Sequence, residues 1–472
     1  MICSMIEVNS NHMRKYKYPI MCICILLSMH HVYAQRQDSL SLKQCMQYAV
    51  DHSTQIQNQL TTQDDAQLQR RDAILQTFTP HISAGSSAYY NFGRAVDPES
   101  NAYTDVTSFN NNYAITGSLT LFSGLSSINR IRMANTIVKM GMSEAQKLRN
   151  DLCLAIMEAY FKVQFQSQMS QVILAQVETA KENLKLVSLQ YEQGQKGYAD
   201  KVQTEADLAE KEYQQVQNEN RLNDALLTLK DLMLWPVEEQ LLLKAAPASS
   251  DDIHCLFITE AVSLLSSCDE IIAYAKENHP TAQLAKGEMR KAQMDLRAAR
   301  GNFFPTLSLG GGWSTNYYTY PGKEDYHAQS FHSQLSNNRG SYVQLSLSFP
   351  IFNHLGNFST LSRKKNTYRR AQASFKQTQH DIEAEVSRAV HDCRGAFRAS
   401  LHAGKHASVQ KESYRLGQRK MVQGLMSPVE FHTLSNNFLQ AKAEQLNAQF
   451  TYLLKQSIVN YYKGINYLDQ LK

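Results

Sequence analysis

The sequence predicts a mixed α/β chain, mostly α, built twice along its length. Three observations carry that prediction. A glycine-marked turn at Gly194 opens into a proline-free stretch where Val202, Ala206, Ala209, Tyr213 and Val216 recur at alternating spacings of four and three, a narrow apolar seam on a Gln/Glu/Lys surface. The design returns after Gly424, where Leu439, Ala443, Leu446, Phe450 and Leu453 keep the same spacing, and the two glycines lie 230 residues apart. Twice, after Pro80 and after Pro305, the period of the apolar residues switches from about 3.6 to 2.

Residues 1–34 read as a cleaved export signal. Met13, Arg14, Lys15 and Lys17 form a basic start, Ile20 to Met29 a short apolar core, and Val32-Tyr33-Ala34 a cleavage site that would leave Gln35 as the first mature residue. The apolar core is too short for an anchoring helix that crosses hydrocarbon. The residue that follows the cleavage site is Gln35, not the Cys that would carry a lipid anchor there.

The first repeat is expected over 39–233. A helix from Ser39 to Leu75, with Leu42, Met46, Ala49 and Val50 on one face, should end at Phe78-Thr79-Pro80, because proline lacks a donor and restricts its predecessor. A strand pair follows at about 81–122. Ile82, Ala84, Ser86, Ala88, Tyr90 and Phe92 share one face, residues 93–111 are a polar loop, and Tyr113, Ile115, Gly117, Leu119 and Leu121 alternate with small polar residues. After Phe122-Ser123-Gly124 two long helices fill 128–233. At about 1.5 Å per residue their length suits a rod or tunnel better than a globule.

Residues 234–268, with Pro236, Pro247 and the run 248–252, read as a connector or equatorial segment. The second repeat, 269–468, copies the first. A helix over 271–299 stops at Phe303-Phe304-Pro305, and a strand pair occupies about 306–350 around a polar loop at 321–341. Long helices fill 360–462, interrupted by a turn within Tyr414–Pro428. Two strands per half, four per chain, cannot close a barrel, and an open edge is untenable in lipid, so several chains must share one.

Chemistry of other kinds is missing from the pattern. No metal, phosphate-loop, dinucleotide or nucleophile-elbow constellation stands in a credible context, so no catalytic, cofactor-binding or metal-binding residue is assigned. The net charge of +5 comes without the dense Lys/Arg tract of a nucleic-acid binder. Beyond the signal, Cys45, Cys153, Cys255, Cys268 and Cys393 make an odd set without paired short spacings. Cys255 and Cys268 could pair in an oxidising compartment, or serve as small core residues. His402 and His406, Asp64 and Asp65, and Glu383 and Glu385 read as solvated helix faces. Tyr89, Tyr90 and Tyr317 to Tyr320 fit an aromatic belt at a lipid interface, or loop packing.

In this layout the chain resembles the outer-membrane efflux protein family, the TolC-like channel-tunnels, over roughly 39–468. The residues that carry the resemblance are FTP at 78–80, FFP at 303–305, LFSG at 121–124, YEQGQKGYAD at 191–200, QGLMSPVEF at 423–431 and the Bacteroides-type ending YYKG at 461–464. The resemblance implies a homotrimer in the outer membrane, with a twelve-stranded transmembrane β-barrel and an α-barrel of antiparallel coiled helices in the periplasm. It implies a passive exit duct of a tripartite efflux or type I secretion system. A periplasmic adaptor and an inner-membrane transporter of RND, ABC or MFS type would be its partners, with outer-membrane lipid around the barrel. No cofactor, nucleic acid or enzymatic activity is implied. The alternative is a structural periplasmic coiled-coil or adaptor protein without a pore, which would have no need of amphipathic strands.

The family closes its periplasmic end with helix hairpins and polar contacts. By position the tips fall at Gly194 and Asp200, and at Tyr414, Gly417, Arg419, Lys420, Gly424 and Glu430. The second tip lacks the family's aspartates and carries Arg415, Arg419 and Lys420 instead. Either Gly417, as in the family's YxxG pattern, or Gly424, by internal repeat, can be its turn. Pro80 and Pro305 mark the helix-to-strand transitions.

Overall fold

The computed structural model describes residues 39–96, 101–105, 107–244, 268–321 and 327–470. The export signal, Pro247, the run 248–252 and Cys255 lie outside the described residues.

The chain starts with α1 (Leu42–His52) and α2 (Thr54–Phe78), followed by β1 (His81–Asn91), the short hairpin β2 (Arg94–Val96) and β3 (Tyr103–Asp105), and β4 (Ser108–Ser123). Then come α3 (Ser126–Glu192) and α4 (Tyr198–Met233). The second half repeats this order with α5 (Cys268–Asn278), α6 (Pro280–Gly301), β5 (Thr306–Thr319), α7 (Phe331–Asn337), β6 (Gly340–Ser348), α8 (Gly356–Val422) and α9 (Pro428–Tyr462).

Four expectations need correction. The helix expected over 39–75 is two helices, broken at Ser53, whose hydroxyl accepts the Ile56 N–H and starts a new N-terminus. The helix over 271–299 is likewise broken, at His279, where the imidazole accepts the Thr281 N–H and Pro280 takes the first helical position. The loop at 93–111 contains the β2–β3 hairpin, and β4 reaches back to Ser108. The loop at 321–341 contains α7, capped by Ser330 and fastened to β5 by the Gln334 amide, which bonds the backbone of Tyr318 on both sides.

β1, β4, β5 and β6 form one antiparallel sheet in that order. The register pairs Ile82 with Gly117, Gly117 with Gly311 and Gly311 with Val343, so the apolar rows of all four strands lie on one face. Val343, Leu345 and Leu347 on the outermost strand are 84%, 65% and 56% exposed. The opposite face is mostly Ser, Thr, Gly and Asn, joined by Tyr89, Tyr318 and Tyr342, with a hydroxyl pair at 3.0 Å between Ser83 and Thr116. At the far end of the sheet aromatic packing takes over: Tyr90 meets Phe109, and Tyr317 lies between Phe109 and Phe331 of α7.

The helices continue the sheet as a single layer. α3 and α8 each have 67 residues, about 100 Å of helix. Near the sheet the order is α2, α3, α6, α8. At the far end it is α4, α3, α9, α8. Two cores sit at the waist. One gathers Cys45, Met46, Ile156, Tyr160 and Leu229 with Trp235 and Tyr467. The other gathers Ile271, Val386, Val390, Cys393 and Val459. Ile156, Tyr160 and Leu229 correspond, 230 residues on, to Val386, Val390 and Val459, so the duplication reaches the interior. Cys45, Cys153 and Cys393 are free and buried as small core residues.

The junctions between layers are also duplicated. Gly124-Leu125 after β4 and His354-Leu355 after β6 all take positive φ, between 54° and 63°. At the first junction the two backbones touch: a Cβ on Gly301 would lie 2.7 Å from the Gly124 carbonyl oxygen.

Candidate functional site

The ends of the rods far from the sheet are two turns of one design. α3 stops at Glu192 and Gly194 takes φ +74°, its N–H donating to the Tyr191 carbonyl at 2.9 Å. α8 stops at Val422 and Gly424 takes φ +72°, its N–H donating to the Met421 carbonyl at 3.1 Å. A left-handed residue at a helix end favours glycine, which settles the choice between Gly417 and Gly424 in favour of Gly424.

The helices leaving the turns begin alike. The Gly197 N–H donates to the Asp200 carboxylate at 3.3 Å, and the Ser427 N–H donates to the Glu430 carboxylate at 3.0 Å. Ser427 returns a bond, its hydroxyl accepting the Glu430 N–H at 3.2 Å. Those bonds hold the Glu430 carboxyl below its ordinary range.

Tyr414 and Gly417 lie inside α8, about two turns and about one and a half turns before its end. Tyr414 stacks on Phe438 and packs on Phe431, and burial pushes its phenol up. A Cβ on Gly417 would come within 2.5 Å of Leu434. This pair therefore knits α8 to α9 instead of turning the chain. Arg415 is held by Glu412 one turn back, with Nε to carboxylate at 2.8 Å. Arg419 and Lys420 occupy the last turn of α8, where cations complement the helix carbonyls. Among the described ion pairs none joins Arg415, Arg419 or Lys420 to Asp200 or Glu430. Pro80 and Pro305 stand at the opposite end of the helical layer, immediately before β1 and β5.

The apolar seam of α4 faces outward from the subunit. Val202, Tyr213 and Val216 are 41%, 63% and 55% exposed, while Thr204, Asp207, Lys211 and Asn218 are buried. Both stripes have helical spacing. The chain's own α3 and α9 meet the polar one, and the apolar one is left at the edge of the layer.

That polar stripe forms a knot above the turns that sequence reasoning did not find. The His432 imidazole meets Asp207 through Nδ1 at 2.5 Å, and its Nε2 meets Asn436 at 2.9 Å and lies 3.6 Å from Glu210. The Lys211 ammonium, in a residue 1% exposed, donates to Asn436. Burial holds the Lys211 pKa down, against the pull of Asp207 and Glu210. Nearby, Asn218 donates to the Gln166 carbonyl and Gln176 to the Ser435 carbonyl, both at 3.1 Å. The only signal for this knot was paired spacing: Asp207 and Lys211 are four apart, as are His432 and Asn436.

A buried ammonium loses solvation that its partners only partly restore. Lys211→Met, similar in length and flexible, should therefore change stability by no more than about 1 kcal/mol in either direction. Thermal unfolding of the purified protein in detergent checks this. A loss above about 3 kcal/mol would show that the ammonium stabilises the knot.

Residues 271–458 match the family model described as outer membrane efflux protein. Among curated proteins no sequence match is found. A membrane protein from Pseudomonas aeruginosa superposes with TM-score 0.73 at 16% identity, covering 91% of each chain. The CmeC outer membrane channel of Campylobacter jejuni gives 0.70 at 14%, covering 91% of this chain and 85% of that one. The outer membrane protein VceC of Vibrio cholerae gives 0.70 at 14%, covering 91% and 96%. At such identities the likeness is one of fold.

Proposed function

We propose that the chain, whose residues 271–458 match the outer membrane efflux protein model, is a member of that family and works as a passive exit duct of a tripartite efflux or secretion system. Three chains close a barrel of twelve strands in the outer membrane, with the helical layer as a tunnel in the periplasm. The observation that carries this reading is a four-stranded sheet, apolar on one face and small-polar on the other, continuous with helical rods of 67 residues. Open edges at β1 and β6 support closure by further copies. An adaptor without a pore has no use for such a sheet.

The loops at 93–112 and 321–341 face the cell exterior, and the turns at Gly194 and Gly424 face the periplasm, where an adaptor and an inner-membrane transporter dock. The second turn is the entrance. Asp200 and Glu430 close their own helices, and Lys420 acts on Glu430 and Arg419 on Glu412 without a contact ion pair. Both cations keep room for further acidic partners, on a neighbouring copy or on the adaptor. Each exposed pair contributes only about 0.2–1 kcal/mol, but three symmetric copies act together on one opening.

Single-channel recording in planar bilayers tests both levels. The parent should insert as a trimer and conduct. Arg419→Ala with Lys420→Ala should raise conductance or open time, most at low salt, where charges are least screened. A parent that stays monomeric and never conducts would end the duct reading. A double variant identical to the parent at low and high salt would remove these cations from the entrance.

A further inference from the structure

Charge is distributed unevenly along the helical layer. Lys364 of α8 reaches Asp295 of α6, Gly287 of α6 approaches Met140 of α3, and Gln59 of α2 bonds the Gly141 carbonyl of α3. These contacts put α2, residues 126–147 of α3, α6, and residues 356–379 of α8 at one level, directly below the sheet. That level holds seventeen Lys/Arg and six Asp/Glu, an excess of eleven positive charges per chain. The remainder of α3 and α8, with α4 and α9, holds eighteen Lys/Arg and twenty Asp/Glu. The imbalance is sharpest in residues 356–379, with six Lys/Arg and no Asp/Glu.

The turn of α8 decides where these cations point. The less exposed residues of this stretch, among them 357, 360, 364, 368, 371 and 375, mark the side packed on the chain's own helices. At 100° per residue, Arg363 and Arg370 lie on one flank of that side, and Lys365, Arg369 and Lys376 on the other. A helix in a closed single-layer barrel has neighbours on two sides, so its two flanks are the bore and the outside. Both flanks of α8 are cationic. Whichever turns inward, the bore receives at least two cations from every copy. Arg363 and Arg370 bond only hydroxyls of their own helix, at Thr360 and Thr367, which leaves their charge intact.

Resting on the duct reading above, we propose that the membrane-proximal half of the tunnel is a basic collar that favours anions, and that anionic solutes are the class of cargo it passes best. The excess of eleven already counts every acid at that level, so pairing between neighbouring copies cannot cancel it. Four helices from each of three chains, at about 10 Å between axes, enclose a bore of roughly 25–30 Å. Its centre lies about 14 Å from the wall, beyond the Debye length of ~8 Å at 0.15 M but well inside ~30 Å at 0.01 M. The collar therefore acts on the whole cross-section in dilute salt and only near the wall in concentrated salt.

The test is the reversal potential of the bilayer-inserted trimer under KCl gradients. In dilute salt the anion-to-cation permeability ratio should be about 3 or more, falling toward 1 near 1 M. Two sets of substitutions, R363Q/R370Q and K365Q/R369Q/K376Q, leave both turns untouched. The set on the inward flank should lower the dilute-salt ratio at least about twofold, and the other set should leave it unchanged. The single substitutions Arg369→Gln and Arg370→Gln repeat the comparison should a multiple variant fail to assemble. Conductance with a parent ratio at or below 1 in dilute salt, or one that neither set alters, would overturn the collar and leave the duct standing. A parent that forms trimers yet never conducts would remove the duct, and the collar with it.

Discussion

Gly124→Val should disable the junction between sheet and rods, with a loss of about 3 kcal/mol or more. Two costs add. Gly124 has φ +61°, a region that a β-branched residue enters only under strain. A Cβ there would also overlap the Gly301 carbonyl oxygen and stand 2.8 Å from the Gly301 Cα. Those atoms are backbone at the end of α6, so no side-chain rotation relieves the overlap. The second repeat supplies the control. His354 already carries a side chain at φ +54°, so His354→Gly should be neutral or slightly stabilising, within about 1 kcal/mol. Thermal unfolding in detergent reads both, and the heat-sensitive oligomer band on a gel reports assembly. Gly124→Val melting within about 2 °C of the parent would mean that the two backbones move apart freely.

The second large effect concerns assembly. Tyr213→Asp with Val216→Asp should leave the chain unable to form its oligomer, although the subunit keeps its own core. α4 and α8 are the two edges of the layer in its far half. Each shows an apolar ridge to solvent: Tyr198, Val202, Tyr213 and Val216 on one, Leu401, Val409 and Leu416 on the other. Ridges at helical spacing on opposite edges are what a ring of identical copies would join. Burying one such side chain contributes about 1.5–3 kcal/mol, and the contact recurs at each boundary of the ring. A carboxylate in its place stays solvated only if the boundary stays open. Size-exclusion chromatography with light scattering should find monomer for the variant and trimer for the parent. A trimeric variant of parental stability would place the closing contact elsewhere.

Most of the architecture could be read from the sequence because its signals are local. Pro80 and Pro305 each remove a backbone donor at the point where helix gives way to strand, and the alternation that follows has a period no helix shares. Gly194 and Gly424 mark backbone conformations that other residues resist. The helix breaks at Ser53 and His279 were visible in principle, through a serine cap and through Pro280, yet each was masked by uninterrupted helical spacing around it. The direction of α4 could not be read. Periodicity finds a stripe but not the partner that covers it. A layer open on both edges buries a polar stripe inside the subunit and leaves its apolar stripe for another copy. Thr204, Asp207, Lys211 and Asn218 look like solvent-facing residues in sequence and become interior because α3 and α9 pack over them, α3 meeting Asn218 through the Gln166 carbonyl and α9 supplying His432 and Asn436. Gly417 misled for a related reason: a glycine that admits Leu434 into close packing looks the same, in one dimension, as a glycine that turns a chain.

The equal lengths of α3 and α8 bear on how the molecule meets anything beneath it. Between Pro80 and Gly124 there are five fewer residues than between Pro305 and His354, the equivalent points of the second half. That surplus falls in the strand-and-loop segment that contains α7. Below it the 230-residue correspondence holds from the junctions down to Gly194 and Gly424, with 67 residues in each descending rod. Sequence can thus be gained or lost at the outer end without altering the reach of the inner one. All descending rods stop at one height, so a ring of three copies would present six helix ends in a level rim. A single inserted turn in either half would lengthen three of the six by about 5.4 Å and leave the rim uneven. Drift in the length of one rod is therefore tolerable only when the other drifts with it.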